Sequence, residues 1–541
     1  MQSLATVLAI TWLAVTIGFV VPGRADDAAF AAALEAVQSS SFQTKAAAAG
    51  QIAESGSAQA PAVLKALLDG RLYVRKADNV VLIATEAGGV VDALSGAALP
   101  AEDKVGLRKI IINNQMRGAL RVALARVSLR AADPTERRIA VESLFGTLSG
   151  ETVQPLRDAL VAERDARVKE TLRTAIALVE LAESPERERR RAAIDTLSSS
   201  MYAEARTRLA AVLETGANGA PIEPEEDVRW AAQSGIERID RRRAWYGFVE
   251  TLMFGLSLGS VLVLAAIGLA ITFGVMGVIN MAHGELIMLG AYTTWVVQQA
   301  LPGHLESSLY IAIPAAFLVA ALVGVAIERG VVRFLYGRPL ETLLATYGIS
   351  LVLQQTVRTI FSPLNRAVAT PEWMSGQLIL NPALAINYNR LFIVFFSLAV
   401  FLALVALLRF TTLGLQVRAV AQNRAMARAM GVRAGRIDAI TFGLGAGVAG
   451  LAGVALSQLT NVGPNLGQSY IVDSFMVVVF GGVGNLWGTL VAGMSLGLAN
   501  KFLEPYAGAV LAKIFVLVFI ILFIQRRPRG LFPQPGRAAE A

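Results

Sequence analysis

The sequence contains no cysteine and only two histidines, His283 and His304. The first absence excludes disulfides, thiolate catalysis and Cys-ligated metals. The second leaves no transition-metal ligand set, because two separated imidazoles do not enclose an ion. No lysine follows a glycine anywhere in the chain, so a Walker A phosphate loop is missing. H-E-x-x-H is missing too, which removes a zinc protease. These absences remove those chemistries, and the expectation is of no metal, no cofactor and no ATP hydrolysis by a phosphate loop of the chain's own.

What is present divides in two. Hydrophobic residues make up 55 % of 541 positions, but unevenly. Up to about Arg243 the chain is rich in Arg, Glu and Ala. After it come long apolar runs of the length that crosses a bilayer. The formal net charge is +8. Much of it is arginine flanking apolar runs, a topology signal rather than a nucleic-acid-binding face. The expected division is a leader over 1–25, an exported helical domain over 26–243 and a transmembrane domain over 244–541. The leader reading rests on the apolar run Leu8–Val21 followed by small residues at Gly23 and Ala25. It has no basic start, so both a cleaved leader and an uncleaved anchor fit.

Residues 26–243 show three- and four-residue apolar spacing with few breakers, which predicts helices throughout. The loose echo "AVESL" (140–144), "VKETL" (168–172), "AIDTL" (193–197) and "AQSGI" (232–236) fits stacked helical hairpins, a HEAT-like α-solenoid. An ordinary helical bundle fits the same pattern. The fold class is all-α in both halves.

The second half offers apolar segments at 249–275, 286–301, 309–328, 339–361, 391–409, 438–458, 470–485, 487–504 and 508–525. The links at 329–338 and 410–437 and the tail after 525 are arginine-rich. Those at 302–308 and 459–469 hold no lysine or arginine. The positive-inside bias places the first group in the cytoplasm. An exported start and an internal finish need an odd number of crossings. Nine segments satisfy this, and so do seven full spans with re-entrant pieces.

Three stretches carry function. "GVINMAHGELIMLGAY" (277–292) holds Asn280, His283 and Glu285 in an apolar setting framed by Gly277, Gly284 and Gly290. Polar groups at membrane depth are costly and usually face a cavity or a partner, and glycines allow a helix to break there. The same groups could instead lock helix packing. "RAVAQNRAMARAMGV" (418–432) predicts an amphipathic cytoplasmic helix over 416–430, ended by Gly431. It has the pattern of a loop that docks on an ATPase, with Arg418, Ala421, Ala427 and Gly431 as candidate positions. A surface-lying membrane helix is the alternative. "NVGPNLGQSYIVDSFMVVVFGGVGNLWGTLVAG" (461–493) is glycine-punctuated and holds the intramembrane acid Asp473, which predicts a second broken element. Gln354 and Gln355 in the 339–361 segment and Asn485 add hydrogen-bonding groups for a solute.

Together "GVINMAHGELIMLGAY", the 418–432 loop and "GGVGNLWGT" resemble the branched-chain amino acid permease family of ABC importers, its H-type subunit, over about 245–535. Within it, "ATYGISLVLQQTVRTIF", "NYNRLFIVFFSL", "FIILFIQRRPRGLFP" and the exported domain ahead of the permease resemble the urea-type branch. The resemblance implies a multi-pass permease of the bacterial inner membrane, embedded in membrane lipid. Its implied partners are a second permease subunit of the M type, two ATP-binding subunits and a periplasmic solute-binding protein. ATP hydrolysis would take place on the partners, and no nucleic acid is involved. Urea, a neutral diamide, needs donors and acceptors such as Asn280, Gln354, Gln355 and Asn485. A zwitterionic amino acid calls for fixed charges, which Glu285 and Asp473 could supply. The substrate expectation is therefore urea by resemblance, with branched-chain amino acids or short amides as the alternative. A passive channel for neutral solutes is the third reading, and it leaves the docking loop without a purpose.

Overall fold

The computed structural model describes residues 24–85, 89–99, 106–216 and 219–532, so most of the expected leader lies outside the described residues. The chain divides into two compact units, Met1–Arg242 and Arg243–Ala541.

The first unit opens with α1 (Arg24–Ala36), α2 (Phe42–Glu54) and α3 (Ala60–Leu68). It then departs from the all-helical expectation. Strands β1 (Leu72–Arg75), β2 (Val81–Ala84), β3 (Val90–Asp92), β4 (Ala98–Leu99) and β5 (Leu107–Lys109) form an antiparallel sheet of order β4-β3-β2-β1-β5. The cause is local. "LYVR" and "VLIA" are short β-prone runs, and the turn between them passes through Asn79 at φ 60°, a conformation asparagine tolerates. The strands supply Leu72, Val74 and Val81 to a core shared with Phe30, Ile52, Leu64 and Leu67.

The rest of the unit is helical: α4 (Asn114–Ser128), α5 (Pro134–Leu144), α6 (Gly150–Ala162), α7 (Ala166–Glu183), α8 (Arg187–Ser199) and α9 (Ala203–Val212). Asp133 and Asp165 cap α5 and α7 through their side chains. One device recurs three times. Arg137 donates to the carbonyls of Ala131 and Ala132, Arg190 to those of Ser184 and Pro185, and Arg229 to those of Glu223 and Pro224. Each arginine staples a helix to the turn that precedes it. Arg137 and Arg190 also bond Glu163 (2.8 Å) and Glu223 (3.0 Å). The echoed segments place Val141, Leu144, Val168, Leu172, Ile194, Leu197 and Ala232 in one core.

Helix α10 (Glu226–Met276) is a 51-residue element whose residues from Arg243 onward belong to the second unit. There follow α11 (His283–Ala300), α12 (Leu305–Gly330), α13 (Pro339–Phe361), the hairpin β6 (Gln377–Asn381) and β7 (Leu384–Asn387), and α14 (Tyr388–Phe410). Then come α15 (Thr412–Gln422), α16 (Arg424–Ala429), α17 (Ala434–Ser457), α18 (Leu466–Gly481) and α19 (Leu486–Arg526). Among the described residues five helices, α10, α12, α14, α17 and α19, are long and apolar enough to cross a membrane. Helix α19 joins the expected 487–504 and 508–525 segments through a bend at Gly508 (φ 76°, ψ 162°), where only glycine sits without strain. The bend reverses the chain. Leu531 N bonds Phe480 O (2.9 Å) and Asn485 Nδ2 donates to Phe532 O (3.3 Å), so the end of the second arm returns to the start of the first.

The helices of this unit meet at glycines. A Cβ on Gly290 would strike the carbonyl of Gly450, one on Gly453 that of Ile287, and one on Gly284 would stand 2.6 Å from the Gly467 carbonyl. Helix α11 is thereby pressed against α17 and α18, backbone to backbone, as small residues permit in bilayer proteins. Both broken elements are present: residues 277–282 separate α10 from α11, and 482–485 separate α18 from α19. They meet at one end of the unit, where a Cβ on Gly274 would lie 2.5 Å from Gly484 Cα. The same end gathers the arginine-rich links, since Arg424 stacks on the Tyr336 ring at 4.6 Å. The opposite end is tied by Gln298 to Ala369 O (2.8 Å), Trp373 to Glu306 O (3.1 Å) and a backbone bridge between Arg366 and Val462.

Candidate transport site

The opening motif builds its site from the break. With Gly277 at φ 68° the chain leaves α10, and Asn280 Oδ1 accepts from Ala282 N (3.1 Å) to start the turn into α11. His283 Nε2 donates to Ala265 O of α10 (2.8 Å), because a carbonyl can only accept. Glu285 points to another wall: Ser350 Oγ of α13 donates to its Oε1 (3.1 Å). All three side chains are at most 1 % exposed. Asn280 Nδ2, His283 Nδ1 and Glu285 Oε2 each lack a hydrogen-bond partner among the described residues. A buried polar atom left in this condition costs about 1–3 kcal/mol.

Ser350 belongs to a ladder. Thr342, Thr346, Ser350 and Gln354 recur at every fourth residue of α13, at most 7 % exposed, with Arg358 one step further on. Thr342 Oγ1 donates to Leu335 O (3.1 Å), and Thr346 Oγ1 accepts from Met281 N (3.1 Å) at the break. Gln354 Nε2 and Arg358 both donate to Asn465 Oδ1, at 3.0 and 2.6 Å. A polar seam therefore runs along α13, from the break at one end to the 458–465 turn at the other. Thr346, Ser350, Arg358 and Asn465 were not among the candidates. The period of four is visible in the sequence, but hydroxyls are common in spans, and only a facing α11 turns them into a seam.

The other expected pathway residues lie elsewhere. Gln355 sits on the exposed face of α13, turned away from Gln354, because successive helical residues point about 100° apart. Asp473 does not join Glu285; its Oδ2 lies 3.1 Å from Lys513 Nζ on the second arm of α19. Asn485 caps α19 through Gly488 N (3.1 Å).

The loop expected as a single helix over 416–430 is two helices, α15 and α16, divided at Asn423, whose side chain caps α16 at Met426 N (2.9 Å). Arg418 is exposed and donates to Leu408 O, and Ala421 is half-buried. Ala427 is only 5 % exposed, packed with Val417, Val420 and Ile437, so it holds the loop together rather than presenting a docking surface. Met426 and Met430 are exposed in its stead, at 61 % and 78 %. Gly431, at φ 83°, ends α16. Sequence reasoning also missed the anchor of this loop. Arg424 pairs with Asp438 at the start of α17, and Tyr336 Oη, beneath Arg424, donates to Glu328 Oε1 (2.9 Å). Asp438 and Glu328 are fully buried.

Residues 251–524 match the family described as branched-chain amino acid transport system / permease component. The chain belongs to this family. The permease is 29 % identical over 298 residues to the high-affinity branched-chain amino acid transport system permease protein LivH of Salmonella typhimurium, covering 53 % of this chain and 96 % of the relative. It is 29 % identical over 300 residues to BraD, a permease protein of the same description from Pseudomonas aeruginosa, with 54 % and 97 % covered. The ribose import permease protein RbsC of Escherichia coli is 27 % identical over 272 residues, with 49 % and 80 % covered. No solved structure shows a significant match. Family and apolar helices together make the permease an integral protein of the inner membrane and a transport component of an ABC system. The urea-type expectation finds no counterpart among these relatives, which carry amino acid or ribose descriptions. The seam, both breaks, the α15–α16 loop and nearly all of α19 fall within the matched residues.

Proposed function

We propose that the permease forms half of the translocation path of an importer for branched-chain amino acids or closely similar small zwitterions. A second permease subunit forms the other half, two ATP-binding subunits drive it and a periplasmic protein delivers the solute. The observation that carries this reading is the polar seam between α11 and α13. It sets a carboxylate with one unpartnered oxygen, Glu285 Oε2, beside hydroxyl and amide groups in an otherwise apolar unit. A carboxylate suits the ammonium group of an amino acid, and the start of α11 suits its carboxylate. The contacts of α11 with α17 and α18 are glycine-tight, whereas this seam is closed by side-chain hydrogen bonds, which separate at lower cost. Residues 26–243 are then periplasmic, and the α15–α16 loop and C-terminus cytoplasmic, with Met426 and Met430 offered to an ATPase.

A second reading, urea, has one observation in its favour. Each amino acid permease match takes up nearly the whole relative but only about half of this chain, so the first unit has no counterpart there. Uptake of radiolabelled leucine and urea into proteoliposomes holding the complete importer separates the two. Leucine uptake that urea does not compete with, and that falls about tenfold in Glu285→Gln from loss of a charge-assisted hydrogen bond, is the expected result. Urea uptake indifferent to Glu285→Gln would select the second reading.

A further inference from the structure

At the end of the second unit where the breaks meet lies a cavity of about 500 Å³. Its walls come from the end of α10, the end of α14, the helix α15 and the start of α19. Its polar liners are Arg409, Arg418, Gln422 and Asn485, its apolar ones include Ile271 and Trp487, and no carboxylate is among them. We propose that this cavity binds the phosphate-bearing headgroup of an anionic membrane lipid.

Charge is the first argument. Three arginines of this unit have acidic partners: Arg329 has Glu328, Arg338 has Glu341 and Arg424 has Asp438. Arg409 and Arg418 form no ion pair among the described residues. Arg418 gives one N–H to the Leu408 carbonyl, and Arg409 lies 5.9 Å from the Phe410 ring. Two guanidinium groups facing one acid-free cavity make an anion site, and the fork of N–H donors suits phosphate oxygens.

Depth is the second argument. Met276 ends α10, Phe410 ends α14 and Leu486 begins α19, and all three helices are of membrane-spanning length. The cavity therefore stands where spans end, at headgroup level. Trp487, 54 % exposed, has the amphipathic ring that favours this boundary.

The mixed lining is the third argument. A free anion would satisfy the arginines and leave the apolar wall in water. An amphiphile covers both, its phosphate on Arg409 and Arg418 and the first carbons of its chains against Ile271 and Trp487. The turn between α14 and α15 is tight enough to hold the two arginines in place. Thr411 Oγ1 accepts from Gly414 N (3.2 Å), and any side chain at 414 would strike the Leu408 carbonyl. A lipid seated here would touch the helix that leads into α16, the second broken element at Gly484 and Asn485 and the end of α10 just before the first, and so link membrane composition to the moving parts.

The test uses the delipidated full chain in nanodiscs of phosphatidylcholine with or without phosphatidylglycerol, read by native mass spectrometry of retained lipid. Wild type is expected to retain phosphatidylglycerol selectively. Arg409→Gln with Arg418→Gln is expected to lower its affinity about thirtyfold, about fivefold for each near-surface arginine. Arg409→Lys with Arg418→Lys keeps the charge and most of the retention, and Arg333→Gln with Arg338→Gln, at the same end but outside the cavity, leaves it unchanged. Brominated phosphatidylglycerol should also quench a fluorescence component that Trp487→Phe removes. Equal retention of phosphatidylcholine, or equal loss in the Arg333/Arg338 variant, would overturn the proposal. So would displacement by millimolar inorganic phosphate, which would assign the cavity to a soluble anion. A glutamine double variant that fails to fold leaves the lysine variant and the quenching measurement to decide.

Discussion

Glycine shows how a single residue acts here. Gly290 and Gly453 stand where α11 crosses α17, and neither position has room for a methyl group. Around Gly303 and Gly348, by contrast, no atom lies within 4 Å of where a Cβ would be. Gly290→Ala and Gly453→Ala should each cost roughly 1–3 kcal/mol or more through overpacking. Gly303→Ala and Gly348→Ala should leave the melting temperature in detergent nearly unchanged. Equal melting of all four variants would refute backbone apposition as what holds α11. In the first unit the telling residue is Glu163. Its hydrogen bonds from Arg137 hold the carboxyl down at about 2, against an ordinary 4.5. A depressed carboxylate contributes stability that is complete above about 4.5 and lost as pH falls toward 2. Glu163→Gln should lower stability at neutral pH and flatten that acid limb, as measured by urea unfolding of the first unit across the range. An acid limb of unchanged steepness would count against the pair. Asn280, His283 and Glu285 were legible because polar groups stand out in an apolar run. Whether Gln354 or its neighbour Gln355 faces inward was not, since that depends on which side of α13 meets α11.

At the scale of the element, the α15–α16 loop divides into a packing face and an exposed face. Ala427 lies on the first, Met426 and Met430 on the second. Met426→Glu and Met430→Glu should leave the protein folded and abolish solute-stimulated ATP hydrolysis in the assembled importer. Ala427→Trp should instead lower folded yield by overfilling the core around Val417 and Ile437. Full coupled hydrolysis in the methionine variants would remove this loop as the ATPase contact. The sequence announced the loop by its arginines and closing glycine, yet not the division at Asn423, because an asparagine suits a helix cap and a solvated helix face equally well. The broken elements were legible from glycine spacing. The sheet over 72–109 was not, because its strands are too short for a two-residue period to outweigh the helical periodicity on either side.

For the whole molecule the open quantity is which end of the membrane unit faces the cytoplasm. With no native cysteine, single cysteines read it directly. Ala192→Cys in the first unit and Ser469→Cys in the first turn of α18 should react with an impermeant thiol reagent in intact spheroplasts, and Ala429→Cys in α16 should react only after lysis. Labelling of Ala429→Cys alone in intact cells would invert the arrangement. The sequence by itself determined that this is a two-part chain with a polytopic helical half, where that half begins, where its helices break and which family it joins. Each of these follows from composition, apolar run length or local motif, which do not depend on what a residue touches. Only the tertiary structure decided that Glu285 meets Ser350, that Asp473 is neutralised by Lys513 and that the last two apolar segments fold back at Gly508. It alone showed that two arginines without an acidic partner among the described residues face one cavity. In a membrane protein nearly every helix is apolar, so hydrophobicity does not tell one helix face from another. Which face is buried is settled by glycine contacts and by pairings between residues far apart in the chain.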